Sequence, residues 1–229
     1  LTLTDLYTDG LDRLTDEEKV RMETLIERLE AGEPVQYVVG KARFCGRDYM
    51  VAPGVLIPRP ETEMLCKEVI SAYNRPYCVL QPPEPLRVLD IGTGSGCIAV
   101  TLALDLWNCT VTAWDISGDA LIIARENAHR LQAHVNLELQ DALNPDEMAL
   151  NALPFDIIVS NPPYICIRES KDMAKHVLAH EPHTALFVPD DDPLLFYRSI
   201  AHYGLSHLNP DGRLAFEINP IYAQEMKKM

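Results

Sequence analysis

Val88-Leu89-Asp90-Ile91-Gly92-Thr93-Gly94-Ser95-Gly96 decides the fold of this 229-residue chain. Leu86 to Ile91 reads as a strand. Cys97 to Trp107 then carries the pattern of a helix. Glycines between a strand and a helix let the backbone turn tightly and let a ligand come close to it. The spacing excludes two common readings. A dinucleotide loop needs glycine where Cys97 stands, and a Walker loop needs a lysine that is absent.

Outward from this loop, strands and helices alternate. Thr110 to Trp114 reads as a strand, followed by a helix from Ser117 to about Leu131. Val135, Leu137 and Leu139 alternate as a strand, and Asn144-Pro145 opens a short helix. Phe155 to Ser160 is the next strand, Pro193 to Leu208 a helix, and Arg213 to Ile218 a strand after the turn Pro210-Asp211-Gly212. Such alternation predicts an α/β fold, a parallel Rossmann-like sheet with helices on both faces. Upstream, Ile57 to Glu63 opens a helix reaching about Tyr73, with Pro60 in its first turn and Glu61 and Glu63 at its positive end. Pro82, Pro83 and Pro85 then form a loop. Residues 59–229 are expected to form this domain, and residues 35–58, with β-prone Val35, Tyr37, Val38, Val39, Phe44, Tyr49 and Val51, a β-hairpin connector. Residues 1–34 are expected to be a small helical part. There Thr15-Asp16-Glu17-Glu18 is a capping box, and Met22, Leu25, Ile26 and Leu29 recur at helical spacing until Gly32 and Pro34.

Three acids stand at or just past strand ends, where open α/β sheets bind ligands: Asp90, Asp115 and Asp141. This field suits a cofactor carrying an ammonium and a sulfonium, as S-adenosylmethionine does, and repels a polyphosphate. Asp115 stands where the ribose-binding acid of a dinucleotide fold would be. Asp141 can accept from an adenine amino group. Any one of these acids could equally be a helix cap or turn residue; all three together are harder to explain that way.

The strand Phe155 to Ser160 ends in Asn161-Pro162-Pro163-Tyr164. Asn-Pro often merely opens a turn. Here it follows a strand downstream of the glycine loop, and its groups suit the gripping of a planar –NH2. The Asn161 side-chain oxygen and the Pro162 carbonyl can each accept one N–H. The prolines fix φ and remove competing donors, and the Tyr164 ring can cover a flat substrate. Asn161 to Tyr164 are the candidate catalytic residues.

Composition narrows the partners. A net charge of −14 gives no counterion-release affinity for nucleic acid, so none is expected to bind directly. No apolar run approaches a membrane span of about 18 residues. The N-terminus has no basic stretch followed by an apolar one, and the 6 cysteines form no C-x-x-C pair, which predicts reduced thiols in the cytoplasm. His176 and His180 share a helix face but lack an evident third ligand, so no metal is expected. Arg59 reads as an ion-pair strut. Both ends of the chain read as cut, at Leu1 and within a helix near Met229.

Together these residues resemble the glutamine N5-methyltransferases that modify peptide-chain release factors. The likeness rests on Pro34-Val35-Gln36-Tyr37 through Gly40, on Leu56-Ile57-Pro58-Arg59-Pro60-Glu61-Thr62-Glu63, on Val88 to Gly96, and on Ile158 to Ile165. Glu181-Pro182 with Ala185-Leu186 is similar to a further segment. The glycine loop is shared by many methyltransferases and Asn-Pro-Pro-Tyr by adenine-N6 DNA methyltransferases; the Ile-Pro-Arg-Pro-Glu-Thr-Glu block is the specific marker. The resemblance implies a class I methyltransferase fold that uses S-adenosylmethionine and releases S-adenosylhomocysteine. It implies cofactor contacts from Asp90, Gly92, Thr93, Gly94, Ser95 and Gly96, with Asp115 on the ribose, Asp141 and Ala142 along the adenine, and Asn161 near the cofactor. Asn161, Pro162, Pro163 and Tyr164 would seat the glutamine of the Gly-Gly-Gln tripeptide in a class 1 release factor, and the N-terminal helices would help dock this partner.

Against the family pattern, the sequence as given is expected to show a smaller helical N-terminal part and to lack an edge hairpin after the last helix, and it has Val188-Pro189-Asp190-Asp191-Asp192 where many relatives carry glycines. The competing readings are an exocyclic amine methyltransferase acting on adenine and a partner-binding relative without turnover.

Overall fold

The computed structural model describes residues 14–73 and 84–229. Cys78 and the loop prolines Pro82 and Pro83 lie outside them. Helix α1 (Asp16–Glu30) starts at the expected capping box, with Thr15 and Glu18 each bonding the other's backbone N–H. It buries none of its side chains.

The connector differs from its expectation at its start. Val35–Val39 is a helical turn, α2, closed by Gly40 at φ 72°. Tyr37 and Val38 are buried while Val35 and Val39, four apart, are exposed. That is a helical pattern, and packing of Tyr37 overrides the β propensity of the valines. The hairpin follows as β1 (Lys41–Phe44) and β2 (Arg47–Met50), with Phe44 and Tyr49 buried against the main domain. The Tyr49 hydroxyl bonds Thr101 Oγ1 at 2.8 Å, which fastens the hairpin to the helix after the glycine loop.

Helix α3 (Pro60–Tyr73) leads into the alternating part. It comprises β3 (Leu86–Ile91), α4 (Cys97–Asp105), β4 (Cys109–Asp115), α5 (Gly118–Leu131), β5 (Val135–Leu139), α6 (Glu147–Leu150) and β6 (Phe155–Ser160). A pair of two-residue strands, β7 (Ile165–Cys166) and β8 (Phe187–Val188), encloses helices α7 (Lys175–His180) and α8 (His183–Leu186). Helix α9 (Leu195–His207), strand β9 (Leu208–Phe216) and a short α10 (Ala223–Met226) end the chain.

The sheet has five parallel strands in the order β5-β4-β3-β6-β9. Its central strand is apolar on both faces because both are covered. Val88 joins a cluster with Ile98, Leu102 and Ile157, whereas Leu89 joins Trp114, Ile158, Ile200 and Tyr203 on the other face. Strand β9 starts earlier than its sequence suggests. Phe155 pairs with Leu208 and Ile157 with Arg213, so Pro210-Asp211-Gly212 bulges out of one strand instead of preceding it.

Candidate active site at the carboxyl edge of the sheet

Strand register brings the sequence motifs together. Ile91 pairs with Ser160 on one side and with Trp114 on the other. The next residues, Gly92, Asn161 and Asp115, therefore leave the sheet side by side. Asp115 pairs with Leu139, so Gln140 and Asp141 emerge next along the same edge. Order reverses at β3, which sends the chain first to β4 and β5 and then back to β6. Such a switch point opens a crevice above the strand ends. The crevice is a cavity of about 400 Å³, within the usual range for a cofactor or small ligand.

Gly92, Gly94, Asp115, Asp141, Ala142, Asn161, Pro162 and Pro163 line it. Asp90, Thr93, Ser95, Gly96 and Tyr164 are not on its lining and have contacts of their own. The Asp90 carboxylate is fully buried; its Oδ2 accepts the Thr93 hydroxyl at 2.7 Å and the Ala99 N–H at 3.2 Å. It holds the loop from beneath. Its Oδ1 has no hydrogen-bond partner among the described residues, and burial pushes the carboxyl up to about 7 against the two bonds that favour the charge. Gly96 begins α4 at φ 79°, where a Cβ would meet Ala124 Cβ at 3.0 Å. Gly92 and Gly94 also have positive φ, yet a Cβ there would meet nothing within 4 Å. Their missing side chains face open space.

Asp115 ties the loop to the next strand. Its Oδ2 accepts the Gly94 N–H at 2.8 Å and its Oδ1 the Ser117 N–H at 2.9 Å, while burial raises its carboxyl above the ordinary value. A carboxylate has about four acceptor sites, so capacity remains for ligand hydroxyls. Asp141 Oδ1 accepts the Leu143 N–H at 2.8 Å, an Asx turn that sets Ala142 on the cavity wall.

Asn161 Nδ2 donates to Thr62 Oγ1 at 3.1 Å, and the Thr62 hydroxyl donates to Glu217 Oε2 at 2.6 Å. The other oxygen of Glu217 accepts the Tyr164 hydroxyl at 3.0 Å. Burial first, and then the Glu217 charge, raises the Tyr164 hydroxyl above its ordinary value, so it remains a donor.

Sequence reasoning gave no site role to Thr62, although it sits in the Ile-Pro-Arg-Pro-Glu-Thr-Glu block, nor to Glu217. It also missed the apolar wall formed by Pro182, Ala185, Phe187 and Phe196. The available signal was the similarity around Glu181-Pro182 and Ala185-Leu186. Arg59 is a strut as expected: its Nη2 contacts both oxygens of buried Glu181. His176 and His180 both lie in α7, and among the described residues no three His, Cys, Asp or Glu side chains are grouped to hold a metal. Cys45, Cys66, Cys97, Cys109 and Cys166 are free thiols, and burial pushes Cys97 up to about 12. Among the described residues no helix is long and apolar enough to cross a membrane.

These features agree with comparisons to known proteins. The family models for the methyltransferase small domain and the PrmC N-terminal domain match residues 78–187 and 1–40. In solved structures, the chain resembles a 16S rRNA methyltransferase of T. Thermophilus (TM-score 0.57, 19% identity, 82% of this chain and 44% of that one). It also resembles a ribosomal protein L11 methylase from Lactobacillus delbrueckii (TM-score 0.50, 23% identity, 78% and 70% covered). At those identities the likeness concerns the fold. Among curated proteins it is 40% identical to the release factor glutamine methyltransferase of Flavobacterium psychrophilum over 96% of this chain and 73% of that one. It is 48% identical to the protein of that name from Bacteroides thetaiotaomicron over 98% of this chain and 77% of the relative. A chain so similar over nearly its whole length, with a glycine loop and an Asn-Pro-Pro-Tyr turn meeting at one cavity, belongs to the release factor glutamine methyltransferase family.

Proposed function

We propose that this methyltransferase binds S-adenosylmethionine in the cavity above β3 and β4 and methylates the side-chain amide of the glutamine in the Gly-Gly-Gln tripeptide of a class 1 release factor. The observation that carries this reading is the shared cavity of Gly92, Gly94 and Asn161, which supports reading them as a cofactor loop beside an amide grip.

The residues present suit such a cofactor. Gly92 and Gly94 leave room against the backbone. Asp115 offers acceptors to ribose hydroxyls, Asp141 offers one to the base, and Ala142, Phe187 and Phe196 give apolar surface for a flat ring. Thr93, Ser95, Gly96 and buried Asp90 support the loop from behind. S-adenosylmethionine, when bound, supplies an electrophilic methyl carbon on a sulfonium and leaves as S-adenosylhomocysteine.

An amide nitrogen is a poor nucleophile because its lone pair is delocalised into the carbonyl. The task of Asn161 and Pro162 is orientation. Asn161 Oδ1 accepts one N–H of the glutamine and the Pro162 carbonyl the other, which turns the nitrogen toward the electrophile. Both oxygens also stabilise the positive charge that develops on nitrogen. No base is needed before transfer, because the N-methylated amide loses its proton afterwards. In this reading residues 1–34 serve to dock the partner, residues 35–58 connect and residues 59–229 carry the catalysis. The exposed Val20, Ile26 and Leu29 of α1 support a role for that helix in meeting the protein substrate.

The test is transfer of labelled methyl to release factor or to DNA. Label on the glutamine of release factor supports the reading. Label on adenine points to the exocyclic amine reaction instead, and no label on either points to a partner-binding relative without turnover.

A further inference from the structure

We propose that Thr62 and Glu217 are positioning residues that fix which end of the Asn161 amide meets the substrate, and so make the site selective for a carboxamide over a carboxylate. The inference rests on the function proposed above.

Donor and acceptor counting settles the direction of the chain of bonds. The Glu217 carboxylate can only accept. The single Thr62 hydroxyl proton goes to its Oε2 at 2.6 Å. Thr62 Oγ1 then has only lone pairs left for Asn161, 3.1 Å away, and must receive an N–H. The Asn161 nitrogen is thereby turned toward Thr62, which leaves the oxygen as the end free to serve the cavity. A flipped amide would set its oxygen against the Thr62 lone pairs and lose that bond.

The consequence concerns the substrate. A glutamine –NH2 needs acceptors, which Asn161 Oδ1 supplies. A glutamate carboxylate needs donors and would face that oxygen unpaired. Glu217 also receives the Tyr164 hydroxyl at 3.0 Å, so one carboxylate holds both ends of the Asn-Pro-Pro-Tyr segment. It is itself seated by two backbone bonds, its N–H to the Ser160 carbonyl at 3.1 Å and its carbonyl from the Tyr197 hydroxyl at 3.1 Å.

The test compares Thr62→Val, which keeps shape and loses the hydroxyl, with Thr62→Ser, which restores it. Each full-length protein is assayed with release factor, and with release factor whose tripeptide glutamine is replaced by glutamate as a competitive inhibitor. Thr62→Val is expected to lose about 100-fold in kcat with cofactor Kd unchanged, as for a misplaced orienting group. It should also bind the glutamate inhibitor about 10-fold better relative to substrate, because Asn161 can now turn its –NH2 outward. Thr62→Ser should stay within about threefold of the parent on both measures. If Thr62→Val retains the parent's kcat, or loses kcat with no change in the ratio of inhibitor to substrate affinity, the proposal is wrong. Failure of the parent to methylate release factor would instead overturn the function it rests on.

Discussion

Arg59 and Glu181, 122 residues apart in sequence, meet with one guanidinium nitrogen 2.6 and 2.7 Å from the two carboxylate oxygens. The Glu181 side chain is 1% exposed and that of Arg59 31%. Glu181 Oε2 also accepts the Ile57 N–H at 3.3 Å. The pair therefore ties the start of α3, which carries Thr62, to the segment whose Pro182, Ala185 and Phe187 wall the cavity.

Arg59→Ala leaves Glu181 buried without its cation. Breaking a buried pair from one side costs about 3 kcal/mol or more. The midpoint of urea unfolding should fall accordingly with the slope unchanged, whereas Arg59→Lys should recover part of the loss. An unaltered midpoint in Arg59→Ala would show that the strut contributes nothing.

In the proposed function Asn161 supplies the acceptor that orients the substrate amide, and Asn161→Ala removes it. It is expected to lower kcat by about 100- to 1000-fold, as losing a preorganised polar group does. Cofactor Kd, followed by calorimetry, should stay within about threefold, since Asn161 is one lining residue among many of the cavity. Normal turnover by this variant would remove Asn161 from the mechanism.

Two glycines of one loop should fail differently. Gly96→Ala puts a methyl 3.0 Å from Ala124 Cβ and 3.2 Å from its Cα, with an unfavourable φ as well. Its expected cost is about 2 kcal/mol or more of folding stability. Gly92→Ala has the φ penalty alone, about 1 kcal/mol, because nothing stands within 4 Å of the new methyl. It should instead weaken cofactor binding, as the methyl enters the space a ligand needs. Thermal unfolding and calorimetry of the two variants separate these effects.

Asp90 gives the stability a pH dependence of definite sign. Its carboxyl is raised by burial from 3.8 to about 7 in the folded protein. The folded state thus holds this proton more tightly than the unfolded chain does. Stability from this group is present below the unfolded value and declines as pH rises toward about 7, where it levels off. Asp115, also raised by burial, acts in the same direction. Asp90→Asn should remove this decline: the urea midpoint at about pH 8 relative to that at about pH 4, measured without cofactor, should be higher in the variant than in the parent. Equal differences in the two proteins would contradict the assignment.

Much of the fold could be read because local signals agreed with tertiary packing. The capping box at Thr15, Pro60 at a helix start and the branched apolar residues from Leu86 and Phe155 each name an element by local chemistry. Reading failed where packing overruled propensity. Val35 to Val39 carries three valines and a tyrosine, yet forms a turn of helix because the Tyr37 ring is drawn into the core, with its hydroxyl 2.5 Å from the Val55 carbonyl. Pro210-Asp211-Gly212 was legible as a turn, but that Leu208 already pairs with Phe155 before it was not. The glycine loop and Asn161 could be named as candidate site residues from what they follow, and Gly92, Gly94 and Asn161 line one cavity. Tyr164 could not be placed, because its sequence neighbours say nothing of Glu217, 53 residues on, to which its hydroxyl is bound.

The sequence by itself determined which groups this protein brings to its chemistry: a loop with room against its backbone, acids after strands, and an amide between a serine and two prolines. These are local properties, fixed by residue type and by the element each residue ends. Only the tertiary structure decided their relations. Strand register sets Gly92, Asp115 and Asn161 side by side, and a carboxylate from the last strand reaches Asn161 through Thr62 of a distant helix. Bonds across such separations depend on how the elements pack in space, which no run of neighbouring residues specifies.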